Sequence, residues 1–409
     1  MRVMFATWEG ATHLFPAVPL GWSFYAAGHD VRVACHPGLV DRVVEAGLPA
    51  AAVGKDYDVA GRIKQDPTQL KFTQNAPLET VVAEMRRSFA LLSGFNDAVV
   101  GDMVAFARRW RPDLVIWDPI MFGGVVAARA VGAADARLLW GPDLFTHRRQ
   151  TVHPKISQLA AMGGNPVLDW LGGVYQQFGL EFDENDLIGR WTIDPCPPSM
   201  RLPVQCDRVP MRYVPYNGPA VAPDWLLDPP ARPRICLTPG TSSIRLTGAD
   251  TLPMEAALHA LGGLDAEVVV GLTAAHRGKL TNIPANVRLV EAMSFHLLLP
   301  TCSAVVHHGG AGTTMTAAVH GVPQLVIPDV ADQTTNAKQL AGTGAGISLL
   351  ADEADPDAIR DSVTRLLGDE SFAAAATALQ EEIRQQPSPP EVVRTLEELV
   401  SAQPERSGW

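Results

Sequence analysis

Five cysteines stand among 409 residues, scattered as Cys35, Cys196, Cys206, Cys236 and Cys302. They are odd in number and hold no CxxC pair, which excludes a disulfide framework and a cysteine-built metal site. Reduced thiols in a cytoplasmic protein are the expectation. No uninterrupted apolar run approaches the ~18 residues of a membrane span. MRVMFATWEG enters a strand at once, with no basic stretch and apolar core of a secretory leader, so no signal peptide is expected. Positive charge is also short: the net charge is −11, which argues against a broad grip on nucleic acid or anionic membrane.

What is present is an ordinary globular composition, 47% hydrophobic and 19% charged, in a chain long enough for two domains. Short apolar runs at Arg2–Thr7, Asp30–Cys35, Asp113–Trp117 and Ala136–Trp140 read as buried strands. Between them, Leu14–Ala27 and Leu78–Arg109 carry helical spacing of apolar positions. Strand–helix alternation implies a parallel sheet covered on both faces. From about Thr146 to Pro210 the pattern weakens, and no elements are assigned there. The proline-rich VPYNGPAVAPDWLLDPPARPR (Val214–Arg234) suits neither a central strand nor a long helix and reads as a linker. Alternation restarts with ICLTPG, AEVVVGL, NVRLVEA, SAVVHHG, PQLVIP and AGISLL. SPPEVVRTLEELV reads as a terminal helix with a Ser cap and Pro in its first turn.

The expected organisation is an N-terminal domain over 1–213, a linker over 214–233 and a second α/β domain over 234–386. A final helix over 387–409 would pack back on the first domain. Open α/β sheets bind ligands at the carboxyl ends of their strands, so the chemistry is expected on strand-to-helix loops facing a cleft.

SAVVHHGGAGTTMTAA (Ser303–Ala318) is a strand, a glycine turn and a helix start. Glycines allow close backbone approach, and the amides of Thr313 and Thr314 are expected to be unpaired at the positive end of the helix. That end suits a phosphate or diphosphate. One histidine would serve the anion while its neighbour faces the core; a capping turn with two buried histidines is the plainer alternative. A dinucleotide fingerprint fails because its third glycine would fall at Met315, and a P-loop fails for want of a lysine. Downstream, Asp332 and Gln333 suit paired sugar hydroxyls, or else a helix cap and a solvated face. TPGTSS (Thr238–Ser243) is a second glycine turn with hydroxyls.

HHGGAGT followed by HGVPQLVIP and ADQTTNA resembles the donor-binding signature of the GT-B glycosyltransferases of family 1. RPDLVIWDPIMF, ARLLWGPDLF, WTIDP and MRYVPYNGP extend the resemblance along nearly the whole chain. They are similar to the subgroup that attaches TDP-deoxysugars to macrolide and aromatic polyketide aglycones in antibiotic biosynthesis. The resemblance implies a GT-B fold, two Rossmann-like doubly wound parallel-sheet domains facing across a cleft. It also implies His308 on the donor diphosphate, helped by the amides of Gly310, Ala311, Gly312 and Thr313. Asp332 and Gln333 would hold the sugar, Thr241 and Ser242 would lie beside the phosphates, and the backbone near Met293 would pair with the base. Where the family has a base-stacking Trp or Phe, this chain has Ala292, which leaves Phe295 as an alternative.

On the acceptor side, WEGATHLFPAVPL follows the first strand and brings His13 to the same edge as Asp118, at the end of RPDLVIWDP. An imidazole can accept a hydroxyl proton near neutral pH, and a carboxylate on its far nitrogen fixes its tautomer. A capping role is the alternative for each, and for Asp118 the helix near Met121 would be the one capped. The resemblance implies that His13 is the general base and Asp118 its orienting partner. Trp8, Phe15, Phe122 and Phe145 would line an apolar acceptor pocket, shaped further by the helix over 78–109 and by residues 146–210. DYD (Asp56–Asp58) looks like the metal clamp of the other large glycosyltransferase fold, but its loop position counts against that. No metal or cofactor is expected beyond the TDP-sugar co-substrate.

The activity implied is inverting, metal-independent transfer to an acceptor hydroxyl. A C-glycosyltransferase and a GT-B sugar-nucleotide 2-epimerase are the alternatives, as is a binding relative without catalysis. A cytochrome-P450-like auxiliary protein is a candidate partner, docking on 146–210, and a homodimer is left open.

Overall fold

In a computed structural model of the chain, residues 1–70, 77–152, 166–240, 252–272, 277–278, 280, 282–291, 293–329 and 332–403 are described. The chain forms two compact units. Met1–Pro195, Leu202–Arg212 and the stretch from Pro387 onward make the first; Cys196–Arg201 and Tyr213–Gln386 make the second.

The first unit holds a seven-stranded parallel sheet in the order β3-β2-β1-β4-β5-β6-β7. Its strands are β1 (Arg2–Ala6), β2 (Asp30–Cys35), β3 (Ala50–Ala52), β4 (Leu114–Trp117), β5 (Ala134–Leu138), β6 (Trp191–Asp194) and β7 (Arg208–Pro210). β1, β4 and β5 are buried almost throughout, as the continuous apolar runs require of strands with helices on both faces. The winding reverses between β1 and β4, which pair with Ala6 beside Trp117, so the loops leaving these two strands start as neighbours. β6 and β7 come from the stretch where no elements were expected. Each is only three or four residues long, too short to show a period.

The helix Leu78–Trp110 ends where Arg111 turns left-handed at φ 55 and its amide returns to Ala107 O, just before Pro112. Val99, Met103 and Ala107, spaced four apart, bury one stripe of it, and it packs on the helix Gly123–Val131. From Val82 it is the one helix among the described residues long and apolar enough to cross a membrane. The buried stripe makes it a core helix of this unit. The helix Pro389–Ser401 opens with a capping box, Ser388 with Glu391, and packs against the helix Val18–Ala26.

The second unit holds a six-stranded parallel sheet in the order β10-β9-β8-β11-β12-β13. These are β8 (Arg234–Thr238), β9 (Glu267–Leu272), β10 (Val287–Glu291), β11 (Ala304–His307), β12 (Gln324–Val326) and β13 (Gly346–Ser348). Its reversal lies between β8 and β11, where His307 stands beside Thr238. The segment expected as a linker over 214–233 belongs to this unit, and so does Cys196–Arg201. Trp225 anchors the former: its indole packs on the apolar cluster of Cys236 and Val269 and lies under the guanidinium groups of Arg234 and Arg288, 5.2 and 4.7 Å from the ring centre. Ser199 secures the latter, its amide and hydroxyl both donating to the Glu382 carboxylate.

Candidate functional site

In the first unit, Gly10 at φ 142 swings the chain off β1, and its carbonyl accepts the amides of His13 and Leu14 to start a single helical turn. From the other side of the reversal, the Asp118 amide donates to Ala6 O, which fixes the start of the loop after β4. The two loops thereby bring His13 Nδ1 to 2.8 Å from Asp118 Oδ2, across 105 residues of sequence. The other carboxylate oxygen accepts the Ile120 amide at 3.0 Å. With Nδ1–H donating to the carboxylate, His13 Nε2 carries the lone pair. The imidazole is 18% exposed and the carboxylate 5%, so the ring reaches solvent while its partner stays shielded.

The aromatic residues divide. Phe122 is fully buried among Trp117, Phe145 and Trp170 and offers no surface to a ligand as it stands. Trp8 is nearly so, tilted over Phe95 at 4.1 Å between ring centres and 6.4 Å from His13. Phe15 and Phe145 are half-buried. Among the described residues the ring nearest His13 is Trp140, edge to face at 4.6 Å. Sequence reasoning passed over it, although it follows β5 at the same sheet edge and lies inside ARLLWGPDLF. Of the acidic pair, the Asp56 side chain is fully exposed, and Asp58 caps the helix Val59–Gln65 by accepting the Gly61 amide. Among the described residues no three His, Cys, Asp or Glu side chains gather to hold a metal.

In the second unit, the two adjacent histidines face different ways. His307 is fully buried: its Nδ1 accepts the Gly309 amide at 3.0 Å and its Nε2–H donates to Gln324 Oε1 at 2.9 Å. Gln324 in turn donates to Thr314 O. Burial, with His308 adding to it, pushes the His307 pKa down to about 3. His308 is pressed between two glycines. A Cβ on Gly240 would stand 2.2 Å from its Cε1, and one on Gly310 2.6 Å from its Nε2. These glycines were expected to admit an anion; they also admit this ring. Burial lowers the His308 pKa to about 4, and its Nδ1 is buried without a hydrogen-bond partner.

Beyond Gly310 begins the helix Ala311–Val319, with no side chain capping it. Thr314 was expected to leave its amide unpaired, but that amide already donates to Gly310 O at 3.0 Å. The first turn therefore starts with Ala311, Gly312 and Thr313, whose amides precede the first intrahelical donor and make the anion-attracting end. Asp332 sits at the N-cap of the helix Gln333–Gly342 but makes no side-chain cap bond. Instead its Oδ2 accepts Asn336 Nδ2 at 2.9 Å, and the same nitrogen donates to Gly309 O at 2.8 Å. Gln333 is buried and its Oε1 accepts the Asp329 amide. Asn336 thus ties Asp332 to the glycine turn. Its place in ADQTTNA, one helical turn past Asp332, was the available signal. Met293 and Phe295 pack on the cluster around Cys236 and Leu298, with the Phe295 ring over Gly271. Thr241, Ser242 and Ala292 lie outside the described residues.

Both halves of the chain match one family model each: residues 22–240 the N-terminal domain, and residues 255–399 the C-terminal domain, of the erythromycin biosynthesis protein CIII-like family. The chain belongs to this family of GT-B glycosyltransferases. The glycosyltransferase is 41% identical to the 10-deoxymethynolide desosaminyltransferase of Streptomyces venezuelae, over 98% of this chain and 97% of that protein. It is also 41% identical to the 3-alpha-mycarosylerythronolide B desosaminyl transferase of Saccharopolyspora erythraea, over 99% and 100%. Among solved structures it is similar to the glycosyltransferase VinC in complex with dTDP, with a TM-score of 0.86 and 35% identity over 98% of this chain and all of that one. The spinosyn forosaminyltransferase SpnP gives a TM-score of 0.83 at 37% identity, over 98% and 99%. In the glycosyltransferase, then, the histidine–aspartate pair belongs to the first unit and the glycine-walled histidine to the second.

Proposed function

We propose that this glycosyltransferase moves a deoxysugar from a TDP-sugar to a hydroxyl of an apolar polyketide acceptor, by a single inverting displacement that needs no metal. The observation that carries it is the 2.8 Å bond from His13 Nδ1 to Asp118, which leaves Nε2 as the proton acceptor. His13 Nε2 takes the acceptor's hydroxyl proton as the oxygen bonds to the anomeric carbon. The bond from that carbon to the donor's phosphate oxygen breaks, and its electron pair leaves on the diphosphate. Asp118 stabilises the imidazolium. His308 and the amides of Ala311, Gly312 and Thr313 meet the leaving charge, as preorganised donors do. Attack opposite the leaving group inverts the anomeric centre. Asp332 and Gln333 hold the sugar, and the base lies near Met293. Desosaminyl and dTDP in the names of the relatives and of the VinC complex support the donor class. All five cysteines are free thiols, which suits work in the cytoplasm.

Calorimetric titration with TDP, UDP and NAD, repeated on His308→Ala, tests the donor. TDP is expected to bind tighter than UDP and to weaken in the variant; equal or better UDP binding moves the donor to common sugars and revives the epimerase. Product NMR with a polyketide acceptor reads an oxygen- or carbon-linked sugar and its anomeric configuration. A P450-like auxiliary protein remains a proposed partner, and co-expression that leaves turnover unchanged removes it. Self-association is read by light scattering.

A further inference from the structure

Two adjacent residues of the helix Leu78–Trp110 reach both loops that carry the histidine–aspartate pair. Phe95, fully buried, packs under Trp8, the ring that flanks His13. Asn96 is also fully buried, and its side chain spends itself on backbone. Its Nδ2 donates to Ile120 O at 2.9 Å and to Leu92 O of its own helix at 2.9 Å, while its Oδ1 accepts the Gly123 amide at 3.0 Å. Ile120 and Gly123 bracket the turn that follows Asp118. In that turn the Ile120 amide donates to Asp118 Oδ1, and the Met121 amide to Asp118 O. One peptide unit away, then, the residue gripped by Asn96 at its carbonyl grips the aspartate with its amide.

We infer that Asn96 is a positioning residue for the base: it holds the 118–123 turn so that Ile120 occupies one oxygen of Asp118 and the other stays aligned on His13 Nδ1. The inference rests on the reading of His13 as the proton acceptor. A buried amide was not required for packing alone, because an apolar side chain of that size would fill the space. It would leave the Ile120 carbonyl and Gly123 amide without these partners in the interior, where an unmade hydrogen bond is costly. The helix's own Leu92 carbonyl gains a second, side-chain donor in the same arrangement, which fixes the amide's orientation and so which atom faces which backbone group. Nothing in Asn96 touches a reacting atom; its effect travels through Ile120 to the carboxylate and from there to the imidazole.

The test is ¹⁵N-histidine NMR on the full chain, whose 11 histidines are sorted by the signal lost in His13→Gln. Wild type is expected to show His13 as a single tautomer, protonated at Nδ1. Asn96→Ala is expected to show mixed tautomers, and to lower kcat at least about tenfold, as a small misplacement of a catalytic group does. The acceptor KM and the TDP affinity should stay within about twofold, since uniform binding is untouched. Asn96→Asp keeps an oxygen facing the Gly123 amide but has no N–H for Ile120, and it serves should the alanine variant not fold. An unchanged His13 tautomer in a folded variant overturns the inference, and so does a loss confined to KM or to thermal stability. Turnover that survives in His13→Gln would instead sink the base reading, while the tautomer measurement still decides what Asn96 does.

Discussion

At the reversal between β1 and β4, a histidine follows the first strand and an aspartate the fourth; at the reversal between β8 and β11, a glycine follows the first strand and a histidine the fourth. The topology is the same and the surroundings are opposed. His13 is partly exposed and its Nδ1 is taken by a carboxylate. His308 is buried against two glycines, and among the described residues no carboxylate binds it and its Nδ1 has no partner. A ring that must accept a proton benefits from a carboxylate that stabilises the imidazolium. A ring that must donate to an anion needs none, because a carboxylate there would repel the ligand. The difference teaches that the fold supplies two equivalent edges, and that the loops leaving them set one imidazole against a carboxylate and wall the other with glycine.

The largest expected effect comes from removing the first histidine. His13→Ala should lower kcat by roughly 10² to 10⁴-fold, the range of a lost general base, with TDP titration unchanged; a variant that keeps its turnover erases the contrast. Next is acid. The unfolded chain's histidines take up protons near pH 6.5, whereas His307 and His308 stay neutral in the folded state down to about 3 and 4. Over that window the unfolded state binds more protons, so stability is full above pH 6.5 and falls as pH drops, by about 3 kcal/mol for His308 alone. Urea midpoints of wild type and His308→Gln between pH 7 and 4.5 read it, and a variant with an undiminished slope contradicts the buried neutral ring. Gly240→Ala comes third, at about 2 kcal/mol of lost stability, because Gly240 sits at φ 76 and the new methyl would meet the imidazole. TDP should bind at least about tenfold more weakly there, while the His13 tautomer stays as in wild type. Smallest is Asn336→Leu, expected to weaken the donor sugar's contribution by about 1 kcal/mol through a loosened Asp332. Comparing TDP with TDP-sugar affinity isolates it, and equal losses for both would place Asn336 at the phosphates instead.

Much of this was legible before any coordinates. The strands that frame both reversals are continuous apolar runs, which located the sheet edges; position left a capping role open for His13 and Asp118, and the family resemblance singled out these two and His308. Of His307 and His308 one was expected to face the core and the other an anion, but both are buried; which nitrogen His307 uses came from Gln324 and Gly309. Asn96 was silent because its meaning lies in a carbonyl 24 residues away; Asn336 showed only its spacing from Asp332, since its other bond is to a carbonyl 27 residues away. β6 and β7 were silent for a different reason, since three- and four-residue strands carry no periodicity. Trp225 shows the remaining weakness of composition: prolines marked 214–233 as a linker, and one anchored indole made it part of a unit.

The helix Pro389–Ser401 completes the first unit from the far end of the chain. A ribosome emits residues 1–212 long before it reaches that helix, so the Val18–Ala26 helix waits, with its docking face uncovered, through the whole synthesis of the second unit. The second unit, apart from Cys196–Arg201, is one unbroken run and can finish first. A product truncated before Pro387 would therefore hold the whole of the second unit beside a first unit lacking this helix.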